Sequence, residues 1–264
     1  MTTVTDLFGL GVHPNALTRR FTCGVEYEIE SVQEHDLSHF PIAIETDHSL
    51  RNNGLEFKTP PTSFQEAIQL FNNLHNNIKL GADPYTDRTS IHVHVNCSQL
   101  SAVEVRQFVL TYALFEPLFF KFVGPVRQGS IFCVPLSYTY IPSNYKKDIV
   151  GLHSTWQKYT AFNICPLGPG KDGTEPLGTI EFRHLYGTGD VTVFTTWLSA
   201  IKELYEFIES TPDFDIVKSL DQTIYGLLTQ IIPTFAKMYG PYEVNALCEN
   251  SVLDVKLSVG GLSK

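Results

Sequence analysis

The chain has 264 residues, 43% of them hydrophobic, enough to bury one large core or two small ones. Its formal net charge of −9 argues against nonspecific nucleic-acid binding and against attachment to an anionic membrane surface. Five cysteines, an odd number with no CxxC spacing, fit buried thiols in a reducing compartment better than a disulfide framework or a thiolate zinc site.

The N-terminal stretch MTTVTDLFGLGVHPNALTRRFTC has no basic segment followed by an apolar run, so a cytoplasmic location is expected. GVEYEIE, Gly24 to Glu30, then alternates as a strand. Glu26, Glu28 and Glu30 share one face, and Cys23, Val25, Tyr27 and Ile29 the other. GLEFKT repeats the pattern, with Leu55 and Phe57 inside and Glu56 and Lys58 opposite. From Ser63 to Leu80 the spacing of Phe64, Ala67, Ile68, Phe71, Leu74 and Ile78 predicts a helix, and Ser63 with Glu66 forms a capping box behind two prolines. SIHVHVN follows, with Ile91, Val93 and Val95 on one face and His92, His94 and Asn96 on the other.

Ser101 and Glu104 repeat the capping signature ahead of Val105, Phe108, Val109 and Tyr112. The apolar run Phe108 to Gly124 is interrupted by Glu116, Pro117 and Lys121. It therefore falls short of the roughly 18 uninterrupted apolar residues of a membrane span and predicts a buried helix kinked at Pro117. GPGKDGT, Gly168 to Thr174, imitates a phosphate loop. It has Cys165 in place of the first motif glycine and Asp172 after the lysine, so it reads as a turn that can reach over a site. GTIEFRH puts Ile180 and Phe182 inside, with Thr179, Glu181 and Arg183 opposite. Asp190 or Thr192 caps a third helix carrying Phe194, Trp197, Leu198, Ile201, Leu204 and Ile208, and more helix is expected beyond Asp213 with a break at Gly240-Pro241.

Each loaded strand has an ordinary explanation by itself: wet glutamates, two unremarkable histidines, a surface ion pair. Taken together they predict an α+β domain whose open sheet face collects Glu26, Glu28, Glu56, His92, His94, Glu181 and Arg183. Carboxylates crowded on one face are costly unless a cation neutralises them. Carboxylates with one or two imidazoles and no thiolate select Mg²⁺ or Mn²⁺, and the number of acids suggests two or three ions. Divalent ions beside a guanidinium suit phosphoryl chemistry. Two alternatives stay open: a mononuclear metalloenzyme of the cupin or iron-oxygenase type built on HxH plus a carboxylate, and a non-catalytic β-rich structural protein with a wet polar face.

The ordered blocks Gly24–Glu28, Asp47–Ser49, Gly54–Pro61, His92–His94, Tyr159–Asn163 and Thr179–Arg183, followed by YGTGD at Tyr186–Asp190, resemble the amidoligases. These are carboxylate–amine ligases related to glutamine synthetase and γ-glutamylcysteine ligase. The similarity spans about Phe21 to Glu209. It implies a glutamine synthetase-like antiparallel funnel with helices on its outer face. Residues 1–210 would be the catalytic domain, and 211–264 a helical C-terminal region of the same domain. The implied activity is ATP-dependent formation of an amide or isopeptide bond through an acyl phosphate. The acid would be a small molecule, peptide or protein carboxylate, joined to an amine.

By resemblance, Glu26, Glu28, Glu56, His92 and Glu181 are magnesium ligands. Arg183 holds the transferring phosphate, His94 lies near the nucleotide phosphates, and Asn163 lines the nucleotide or substrate side. Asp47, Ser49 and Tyr159 belong to the substrate side, with Asp47 also a candidate general base. Lys158, a candidate contact to the cofactor's phosphates, stands where family members often carry an arginine, keeping the charge and losing the forked geometry. Glu30 is either a third ligand or an acceptor behind the ligands.

Overall fold

The computed structural model describes residues 2–11, 18–170 and 173–259. A short helix α1 (Val4–Phe8) precedes four strands, β1 (Cys23–Ile29), β2 (Val32–His35), β3 (Ala43–Thr46) and β4 (Leu55–Lys58). Helix α2 (Phe64–Asn76) opens on the Ser63–Glu66 capping box. Strands β5 (Ile78–Leu80) and β6 (Ser90–Asn96) follow, then α3 (Ala102–Val123), which opens on the Ser101–Glu104 box. Helices α4 (Pro125–Gln128) and α5 (Ile149–Thr155) and strands β7 (Phe162–Asn163) and β8 (Thr179–Tyr186) lead to α6 (Val191–Ser210), whose first amides bond Asp190. The chain continues through α7 (Ile216–Ser219), α8 (Ile224–Ile231), α9 (Pro233–Met238) and α10 (Pro241–Val259).

Six strands form one sheet in the order β3-β4-β1-β6-β8-β7, with antiparallel neighbours throughout, and β2 pairs β5 separately. The mixed α and β architecture with an antiparallel sheet is the expected one. One boundary differs. The helix expected to reach Leu80 stops at Asn76, and Ile78 and Leu80 pair with β2. Ile78 fits the helical spacing, yet Ile-Lys-Leu also alternates, and its pairing partner Val32–His35 is remote in sequence. Pro117 lies inside α3, which continues to Val123.

The apolar sheet face is covered by α2, α3 and α6. Phe71 and Phe194 stack at 4.5 Å, and Tyr27 of β1 meets both at 5.8 Å. Phe108 of α3 reaches Phe162 and Phe182 at 5.6 and 6.1 Å. Interlocked aromatic rings of this size dominate core energetics and fix the lateral position of each strand. The C-terminal helices join the same core: Phe235 meets Phe119 at 5.1 Å, and Val244, Cys248 and Val255 are buried. Cys23, Cys97, Cys133 and Cys248 are buried thiols. Among the described residues no helix is long and apolar enough to cross a membrane. Lys171 and Asp172, in the turn expected to reach over the site, lie outside the described residues.

Candidate active site

Register decides which charged residues meet. Glu26 sits opposite both Lys58 and His92, Glu28 opposite Glu56, and Glu56 opposite Glu45. Glu181 sits opposite His94 on one side and Asn163 on the other. Directly opposed residues share a face, so four strands deliver their polar side chains to one surface. Asp47 arrives from the β3–β4 loop. Asn52 and Asn53 turn the chain there with φ of 51° and 56°, a left-handed conformation that asparagine tolerates better than most residues.

The acids fall into two groups. Glu26, His94 and Glu181 each place one ligand atom within 4.8 Å of the others, and Glu28, Asp47 and Glu56 do the same. His94 Nε2 lies 3.6 Å from Glu26 Oε1 and 3.8 Å from Glu181 Oε1 and has no hydrogen-bond partner, while Nδ1 meets Thr179 Oγ1 at 3.1 Å. An imidazole fixed through one nitrogen with the other aimed between carboxylates suits a metal ligand. His92 stands between the groups. Its Nδ1 is 3.2 Å from Glu26 Oε2, and its Nε2 is 2.8 Å from Ser90 Oγ, which also bonds Glu28. His92 Nδ1 is also 3.5 Å from Glu181 Oε1. Both rings of the HxH thus turn one nitrogen toward Glu26 and Glu181 and differ in the partner of the other nitrogen, Ser90 for His92 and Thr179 for His94.

Fixed cations balance part of this charge. Lys58 Nζ lies 2.8 Å from both Glu45 and Glu56 and 4.0 Å from Glu26. Arg183 pairs with Glu181, donates from Nε to Phe132 O at 3.1 Å, and sets its guanidinium 5.9 Å from the Tyr159 ring centre. Burial pushes the Glu26 carboxyl upward, but its hydrogen bond to His92 and the nearby His94 imidazole outweigh this and hold it well below the ordinary range. Glu181 is likewise lowered, because Arg183, His94 and His92 overcome its burial. Burial and the charge of Glu26 lift Glu56, against the pull of Lys58. Burial depresses His94, and Glu26 more than reverses it, so His94 is raised.

The remaining expected residues separate. Asn163 is buried behind the site, donating from Nδ2 to Glu181 Oε2 at 2.8 Å and accepting from Cys165 N at 2.9 Å. Ser49 donates its amide to Asp47 Oδ1 at 2.7 Å, and its carbonyl accepts from Arg88 at 2.7 Å. Tyr159 is half-exposed at the rim beside Arg183. Lys158 is exposed and forms no ion pair with the acids among the described residues. Glu30 is fully buried and accepts from Arg51 N at 2.7 Å and Thr86 Oγ1 at 3.1 Å, which makes it an acceptor that ties two loops together. Three residues had no assigned role in the sequence: Lys58, Ser90 and Glu45. The signal for Lys58 was its place two residues after Glu56 on the same face. Ser90 and Glu45 join the site only through register.

Beside the first group lies a cavity of about 360 Å³, with Glu26, His94 and Thr179 on its polar side and Leu10, Pro61 and Leu177 on its apolar side. Apolar walls converging on a few polar groups are the usual make-up of a small-molecule site. A family model described as "Putative amidoligase enzyme" matches residues 16–199, about seven-tenths of the chain. The chain belongs to the amidoligase family. That match covers all four loaded strands of this amidoligase and stops inside α6. No curated protein matches the chain.

Proposed function

We propose that this amidoligase joins a carboxylate to an amine at the expense of ATP, through an acyl phosphate. The observation that carries the reading is the pair of three-ligand groups on one sheet face, with Arg183 against one of them. Oxygen-rich sets holding at most one imidazole fit Mg²⁺ or Mn²⁺, which would neutralise phosphate charge when bound. Glu26, His94 and Glu181 would hold one ion, and Glu28, Asp47 and Glu56 the other. His94 would be the ligand imidazole, and His92 would brace Glu26 through Nδ1 and reach Glu28 through Ser90. A carboxylate committed to a cation is a poor base, so Asp47 takes the ligand role here.

A carboxylate resists attack because oxide is a very poor leaving group. In the first step a carboxylate oxygen of the acid bonds the γ-phosphorus of ATP, and ADP leaves. In the second the amine nitrogen bonds the acyl carbon, phosphate leaves, and the amine gives up a proton. Arg183 would orient the transferring phosphoryl group and offset its charge. Asn163 keeps the Glu181 carboxylate turned toward the site. The cavity beside Glu26 and His94 would take the nucleoside, and the sheet face would form the wall of a glutamine synthetase-like funnel. The iron-oxygenase alternative uses one carboxylate with the imidazoles and leaves the second acidic group, Glu28, Asp47 and Glu56, without a role.

The test is ADP release with Mg²⁺ across mixed pools of acids and amines, with phosphate and the new amide measured in parallel. One ADP and one phosphate per amide are expected. Turnover with ferrous iron and no nucleotide, or no response to nucleotide in any pool, would reject the reading.

A further inference from the structure

Strand β8 does not pair evenly with β6. Ile91 opposes Leu185 and Val93 opposes Phe182, so His92 alone faces two residues, Arg183 and His184. This is a β-bulge, a device that re-aims side chains beside functional sites. Strict alternation from Glu181 would send residues 181, 183 and 185 to the polar face. The extra residue resets the phase: Arg183 stays beside Glu181, while Leu185 and the His184 ring are buried in the core. Outside the bulge the sheet ends, since β7 spans only Phe162–Asn163.

Arg127 occupies that missing edge. Its Nε donates to His184 O at 2.8 Å and its Nη2 to Arg183 O at 2.6 Å. The side chain is buried, yet among the described residues it forms no ion pair with a carboxylate. The Cys133 thiol beside it is pushed by burial up to about 11, so it stays neutral and offers no counter-charge. A buried guanidinium spent on two successive carbonyls is a costly way to finish a strand edge. Its fork matches the two oxygens of the bulge, which a lysine cannot do. Gly124, with φ of 83°, ends α3 and turns the chain into the short helix that carries Arg127.

We infer that Arg127 is a positioning residue that holds the bulge in the phase that aims Arg183 at the transferring group. The inference rests on the ligase reading above. Arg127→Met should lower kcat on the order of 100-fold, as a small misplacement of a phosphate-orienting group does, with little change in KM for ATP. Arg127→Lys keeps the charge without the fork and should recover only part of the loss.

The deciding measurement is a double-mutant cycle with Arg183→Lys. If Arg127 acts through Arg183, the double variant should be within about threefold of Arg183→Lys alone. Multiplying losses, a raised KM with unchanged kcat, or full turnover in the Arg127 variants would each overturn the inference. Should Arg127→Met fail to fold, the same cycle with Arg127→Lys decides it. Wild-type protein without ADP release sinks the ligase reading and this inference together. Wild-type turnover with a multiplicative cycle sinks this inference alone.

Discussion

At the scale of single residues, the site trades stability for charge. Glu56 lies directly opposite Glu28 and Glu45 in the register, and like charges so placed cost about 0.2–1 kcal/mol per pair. Glu56→Gln should therefore leave the metal-free protein equally or slightly more stable in urea, while removing Mn²⁺-induced stabilisation. A large loss of metal-free stability would instead show that the ion pair of Glu56 with Lys58 dominates. Asn163→Ala removes the bond that turns Glu181. Losing an outer partner of this kind costs roughly 10- to 100-fold in metal affinity or activity. Isothermal titration with Mn²⁺ measures it, and unchanged affinity would leave Asn163 a purely structural residue.

Elements explain both what the sequence revealed and what it concealed. The strands carrying Glu26, Glu56, His92 and Glu181 were legible because an apolar alternation on one face forces the charged residues onto the other. Strand β3 was not, because Ala43, Glu45 and Thr46 are exposed and only Ile44 is partly covered. Two-residue β7 offers no period at all. Asp47 reaches the site from a loop, and loop residues follow no repeat. That both imidazoles turn a nitrogen toward Glu26 and Glu181 depends on how each ring is set, which spacing does not encode.

Helix α3 was read correctly as buried, yet the role of its charge was invisible. Glu116 accepts from Tyr112 Oη at 2.9 Å and from Leu136 N at 2.7 Å. Burial pushes it up to about 7 despite these bonds. Since its folded value lies above the ordinary one near 4.5, the native state holds the proton more tightly than the unfolded chain. Its contribution is complete below about pH 4.5 and is lost as pH rises through 7. Wild-type stability should thus fall relative to Glu116→Gln between pH 5 and 8, by on the order of 3 kcal/mol. Parallel urea titrations measure it, and a pH-independent difference would contradict the buried proton.

For the whole molecule, the proposed cation binding would be linked to folding. An ion that binds only the native state adds about 2.7 kcal/mol at a hundredfold excess over its dissociation constant, raising Tm by roughly 5–10 °C for a chain of this size. Mn²⁺ should produce such a shift, a chelator should reverse it, and ATP should enlarge it. Indifference to all three would favour a non-catalytic sheet.

The placement of Lys58 has one more consequence. An ammonium wedged among Glu45, Glu56 and Glu26 means this surface is never bare of positive charge. The fold thus carries part of its own counter-charge as a tethered amine. A cation bound as proposed above would compete with that tethered rival rather than fill a void, so weakly held ions would meet a threshold there.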